Sequence, residues 1–268
     1  MKRTTYILIG LIVSGLVVIV TFIVLISVSG QSHQSNGFFV GGDERVEMNL
    51  NNVHTVKMFI NKDKDSENRW AYVNGDVTVT SPSTAGERKI VYPKNQYLKV
   101  SQVNDTLLME LDLSNGNIPA KFRDRGNIYA TGMDVQLSVD SLNSLLFYAN
   151  GLKMNLKKVK MDSLFIYALH QEVLLDSCQF RSFSVDGKDL RFKAKDGKIE
   201  NFYLNLNSIW RWNFENCEIG TEYLRGSNSH RNSLQVGECK RVVWTPLNEK
   251  AQLQVTFRES AEIIVNPK

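Results

Sequence analysis

The chain has 268 residues, 43% of them hydrophobic and 10% aromatic, with a formal net charge of +4. That is ample material for one sizeable core, and 32 basic residues interspersed with 28 acidic ones leave no electrostatic footprint for nucleic acid. Three cysteines without a C-x-x-C spacing and four scattered histidines give no support to a metal site, and no phosphate loop or nucleophile elbow is present.

In chain order, residues 1–5 hold Lys2 and Arg3 and read as a cytoplasmic tail. Tyr6 to Val28 follow, 23 residues without a charge and dominated by Ile, Leu and Val. As a helix they would extend about 35 Å, enough to cross a bilayer. The flanking charges predict a single-pass anchor, with the N-terminus cytoplasmic and the rest on the periplasmic or cell-surface side. The run exceeds the apolar core of a secretory signal, which favours an uncleaved anchor over a cut near Ser27-Val28-Ser29. Residues 29–45, rich in Gly, Ser, Asn and Gln, read as a flexible tether.

From residue 46 onward the pattern is that of β-strands. Val56, Met58 and Ile60 alternate with polar residues, as do Val77 and Val79, Leu98 and Val100, and Leu107, Met109 and Leu111. Polar loops separate these runs, so residues 46–113 are expected to be the irregular first part of one β domain. A period of 19 residues dominates 114–268. Leu145, Leu164, Phe183 and Phe202 mark it; Phe147, Ile166, Val185 and Leu204 repeat two places later, and Met154, Val173 and Phe192 nine places later. One period earlier, Ile128, Ala130, Met133 and Val135 fall in the matching slots. Self-similarity at this period, with alternation inside each unit, predicts an all-β fold: a right-handed parallel β-helix of about 19 residues per coil, behind one N-terminal transmembrane helix. Asn248, Glu249, Lys250, Arg258 and Glu259 supply a polar cap.

Two outward columns with alternating charge follow from that register: Asp134, Lys153, Glu172 and Arg191, and Lys157, Asp176, Lys195 and Glu215. Cys178, Cys217 and Cys239 share one inward corner slot, where Cys217 and Cys239 could approach each other. Trp212 and Trp210 take the inward Phe192 and Leu190 slots, leaving Arg211 outward. Asp186 and Asp196 are explained as Asp-Gly turn residues, so no catalytic, cofactor or metal residue is assigned. One outward column is apolar: Tyr129, Tyr148 and Tyr167, beside Leu146 and Phe165, with Tyr203 further along. A contiguous apolar stripe needs a cover or a partner. These six residues are the candidate docking face for a protein or a glycan.

The run Val56-Met58-Ile60, the later Leu98-Val100 and Leu107-Met109-Leu111 pairs, and the Leu145/Leu164/Phe183 repeat resemble the head GIN domain family of adhesin-like β-solenoid proteins of Bacteroidetes, over about Val53 to Val242. The resemblance implies an envelope role without known activity and transfers no functional residue. The expected function is a membrane-anchored binding, adhesion or scaffold module and not an enzyme. The alternatives are a glycan-active enzyme or a tethered subunit of an envelope assembly or transport machine.

Overall fold

The structure is a computed structural model and describes residues 14–21, 37–63, 69–82, 87–124, 126–233, 236–257 and 260–266. The chain divides into two compact units, Met1–Gly37 and Phe38–Lys268. In the first, residues 14–21 form a helix. Eight residues rise only about 12 Å, and among the described residues no helix is long and apolar enough to cross a membrane. The rest of the Tyr6–Val28 run lies outside the described residues. The structure therefore does not support the expected single-pass anchor, nor the cytoplasmic and extracytoplasmic placement that rested on it.

The second unit is all β. In chain order the strands are β1 (Gly37–Phe39), β2 (Arg45–Asn49), β3 (Thr55–Asn61), β4 (Trp70–Thr80), β5 (Lys89–Pro93), β6 (Leu98–Val103), β7 (Thr106–Asp112), β8 (Asn127–Ser138), β9 (Ser144–Lys157) and β10 (Lys160–Leu169). They continue as β11 (Glu172–Asp176), β12 (Gln179–Lys188), β13 (Leu190–Lys195), β14 (Lys198–Asn205), β15 (Ile209–Gly226), β16 (Ser229–Ser233), β17 (Val236–Pro246), β18 (Gln252–Thr256) and β19 (Glu262–Val265). Alternation makes the strands: β13, Leu-Arg-Phe-Lys-Ala-Lys, buries every second residue and exposes the others.

The right-handed β-helix expected from the repeat is corrected by the pairing. Parallel partners run β9–β10–β12–β14–β15–β13–β11 and return to β9. Seven strands thus close into a parallel barrel, and the remaining strands lie outside it. The physical reason is the length of β9 and β15, at 14 and 18 residues. Each bends through a corner and pairs in both walls of the barrel. Wall one contains the first half of β9, then β10, β12, β14 and the second half of β15. Wall two contains the second half of β9, then β11, β13 and the first half of β15. Outside the ring, β17 and β19 extend wall one in parallel.

Beyond β9, the strands of 46–113 interleave with those that follow. β3 lies between β7 and β9, and β4 lies between β8 and β9, all parallel. Antiparallel β6 then covers β7, while β5 pairs antiparallel with β8 and β2 with β5. One continuous core joins these regions, from Val56, Met58, Val77 and Val79 to Phe183, Phe192, Phe202 and Phe214.

Between β10 and β12, β12 and β14, β9 and β11, and β11 and β13 the 19-residue offset is the register between neighbours. Glu172 stands opposite Lys153 and Arg191, and Asp176 opposite Lys157 and Lys195. Lys195 pairs with Glu215 in turn, and its ammonium lies 3.2 Å from Asp176. The first charge column is interrupted: β4 puts Asp76 between Asp134 and Lys153. The two adjacent aspartates are relieved separately, Asp134 by Arg45 and Asp76 by the Asn155 amide at 2.8 Å. The cysteines also differ from expectation. Cys239 pairs with Ile219, two residues from Cys217, so the two do not share a slot. All three thiols are free and buried. Burial pushes each upward, Cys239 to about 12, with the neighbouring Glu222 adding to its shift. They are therefore protonated and unreactive near neutral pH.

Candidate functional site

The outer face of wall one carries most of the apolar stripe. Tyr148, Phe165 and Tyr203 are 36–42% exposed, while Leu146 and Tyr167 are half-buried. The Tyr148 and Tyr167 rings lie 5.3 Å apart, and the Lys57 ammonium lies 5.7 Å from the Tyr148 ring. Further along, Tyr203 and Tyr223 stack nearly parallel, 4.5 Å apart at 8°. The parallel register imposes this, because Tyr223 stands directly opposite Tyr203 on the next strand. Ser184, small and polar, falls between Phe165 and Tyr203, and a groove of about 340 Å3 opens there.

Asp186 forms the polar side of that groove. Its carboxylate accepts from Ser208 Oγ at 2.6 Å, from Asn205 Nδ2 at 3.1 Å, from the Gly187 N–H at 2.7 Å and from the Arg225 guanidinium at 3.3 Å. The Asp-Gly turn expected here is not formed, because Asp186 and Gly187 lie within β12 opposite Tyr167 and Ala168. The φ of Gly187 is +147°, and a Cβ there would lie 1.8 Å from the Ala168 carbonyl oxygen.

Tyr129 does not join this face. With β4 inserted between β8 and β9, Tyr129 pairs with Tyr72 (rings 6.3 Å apart) at the corner joining the two walls. The proposed column therefore divides into Tyr148, Phe165, Tyr167 and Tyr203 on wall one, and Tyr129 with Tyr72 at the corner. Tyr223, absent from the expected set, completes the wall-one stack. The sequence carried a signal for it: Tyr223 follows Tyr203 by 20 residues, the spacing that one inserted residue produces.

The tryptophan expectation is overturned in one half. Trp212 is buried opposite Phe192, as its slot requires, but Trp210 is 67% exposed. Ile209 takes the inward place opposite Leu190, and Arg211 pairs with Arg191, so the inserted residue is Trp210 itself. A bulge of this kind turns a side chain out of the strand's alternation.

Among the described residues no cluster of His, Cys, Asp and Glu could hold a metal. Glu222 is fully buried, with both carboxylate oxygens unpartnered, and desolvation raises its pKa to about 8.

No family model matches the chain, and no curated protein matches it. Solved structures similar to it include a protein provisionally described as an adhesin from Parabacteroides merdae, at 9% identity and TM-score 0.32, covering 84% of this chain and 99% of that one. A provisionally described lipid-binding protein from Parabacteroides distasonis is similar at 11% identity and TM-score 0.31, covering 86% of this chain and 100% of that one. A provisionally described cell adhesion protein from Clostridium sporogenes is similar at 8% identity and TM-score 0.20, covering 83% and 98%. At such scores the likenesses carry no function across, and the reading below rests on the chain itself.

Proposed function

We propose that this chain is a recognition module that holds a protein partner against the outer face of wall one, with the stacked Tyr203–Tyr223 pair at the centre. The carrying observation is the placement of those rings: parallel, on rigid neighbouring strands, beside a groove whose polar edge is already oriented. Tyrosine and arginine dominate the binding energy of protein interfaces. Side chains fixed by sheet register also lose little entropy on binding. Arg225 is held by Asp186 at the groove edge, so a partner meets an ordered polar rim around an apolar centre.

The acids favour recognition over catalysis. Glycoside hydrolysis needs two carboxyl groups facing each other across the substrate. Asp186 is the one acid among the described residues lining the groove, and its oxygens are engaged by four donors. Glu222, which has the raised pKa of a general acid, is sealed in the core.

The test is photo-cross-linking in the cells that make the chain, with benzoylphenylalanine placed at Phe165 or Tyr203. As a control it is placed at Lys94, whose side chain is 66% exposed just after β5, a strand outside wall one. One discrete protein adduct is expected from positions 165 and 203 and none from 94, with the adduct at 165 lost in Tyr223→Ala. Indiscriminate adducts from all three positions, or an adduct at 165 indifferent to Tyr223→Ala, contradict the proposal.

A further inference from the structure

We infer that the corner where wall one bends into wall two is a second, separate binding site, built for a neutral glycan. A cleft of about 670 Å3 opens there, lined by Tyr72, Asn74, Gln171, Glu172, Arg191 and Trp210 among others. Beyond Trp210 lies a second depression of about 340 Å3, which shares Glu172 and Arg191 with the first. The indole thus stands as a ridge between two adjoining hollows, turned outward by the bulge. The Tyr72 ring packs on Gly151, whose φ is +91° and where a Cβ would lie 2.4 Å from that ring. Trp70, 56% exposed, stands edge-on to His170 beside the cleft, their rings 5.4 Å apart.

Three observations select the ligand chemistry. The first is Gln171, only 4% exposed, whose amide nitrogen donates to the Ala149 carbonyl. A carbonyl only accepts, so this bond fixes the amide orientation and leaves Oε1 buried without a partner. Gln171 lines the cleft, so a ligand group that reaches this acceptor must bring a donor. A hydroxyl supplies one; a phosphate or carboxylate anion does not. The second is that both tryptophans already carry protein cations: Arg191 lies 4.5 Å from the Trp210 centroid and the Lys188 ammonium 5.9 Å from that of Trp70. A cationic ligand would meet like charge, whereas the C–H face of a sugar ring suits the remaining negative π face. The third is balance. In the larger cleft Lys153 and Arg191 are matched by Glu172 and Asp189, with His170 Nδ1 3.3 Å from Asp189, and beyond Trp210 Lys193 is met by Glu215 at 3.9 Å, so Arg211 alone adds positive charge and no strong field draws a charged chain. Planar amide, carboxylate and guanidinium groups around an aromatic ridge match the vicinal hydroxyls of a neutral hexose chain.

The test uses the full chain in affinity electrophoresis and calorimetry. The probes are soluble xyloglucan, galactomannan and dextran as neutral polymers, and polygalacturonate as the acidic one. At least one neutral polymer should retard the protein and shift its tryptophan emission to shorter wavelength. Trp210→Ala should lower the affinity at least about ten-fold, the loss typical of a hot-spot aromatic, with Trp210→Phe intermediate. Gln171→Met, which keeps the volume and removes the acceptor, should weaken binding as well. Tyr203→Ala should leave binding unchanged, which separates this site from the wall-one face. Failure of every neutral polymer to bind, preference for polygalacturonate, or unaltered binding by folded Trp210→Ala protein would overturn the inference.

Discussion

Glu222 occupies the inward position opposite Phe202 on one neighbouring strand and Val242 on the other. A carboxyl in that slot is kept neutral by its surroundings, with desolvation raising its pKa to about 8. Unfolded, the same group titrates near 4.3. Between those values the native state holds a proton that the unfolded chain has released, so stability must fall as pH rises through the window. The slope approaches about 1.4 kcal/mol per pH unit. Urea unfolding at pH 5, 6.5 and 8 should show this decline, and Glu222→Gln should flatten it while raising stability at pH 8. An equal slope in both proteins would mean that Glu222 is not buried as described. The sequence hid this residue because the 19-residue beat gives way to a 20-residue step after Phe202, and an acid is not sought in an aromatic column. Trp210 was misplaced for a related reason. One inserted residue can be assigned to several positions, and only the strand pairing identifies which one leaves the alternation.

At the level of elements, the beat was legible where strands two apart in sequence pair in parallel, and there it gave the register of β9 to β14 nearly residue by residue. One departure is local: Leu145 stands opposite Ile166, two residues beyond its expected partner Leu164. It was illegible in 46–113 because those strands pair far along the chain. Trp70 stands opposite Asn127, Thr55 opposite Thr106 and also Ser144, and pairings of such unequal span leave no period to detect. The insertion of β4 is what separated Tyr129 from Tyr148. Its close approach to β8 depends on Gly75, where a Cβ would lie 1.9 Å from the Met133 carbonyl oxygen. Gly75→Ala should therefore destabilise the domain by more than about 2 kcal/mol, as steric overpacking without room to relax does. It should also expose β4–β8 amides to hydrogen exchange before those of β12 and β14. A variant as stable as the parent would contradict the parallel β8–β4–β9 order.

For the whole molecule, closing seven parallel strands into a ring sets the outward side chains by register, with Trp210 at its bulge the exception. That register suits a flat aromatic face to recognition, because the rings are held in place before any partner arrives. The same frame turns a second set of aromatics outward at its corner, so one core presents two chemically different surfaces. On the proposed function, the partner covers the outer face of wall one. Hydroxyl-radical footprinting with mass spectrometry, on the purified chain alone and again bound to the partner recovered by cross-linking, tests it most directly. Tyr148, Phe165, Tyr203 and Tyr223 should oxidise readily in the free protein and be protected in the complex, while Trp210 remains reactive in both. Undiminished oxidation of Tyr203 and Tyr223 in the complex would mean that the partner binds elsewhere.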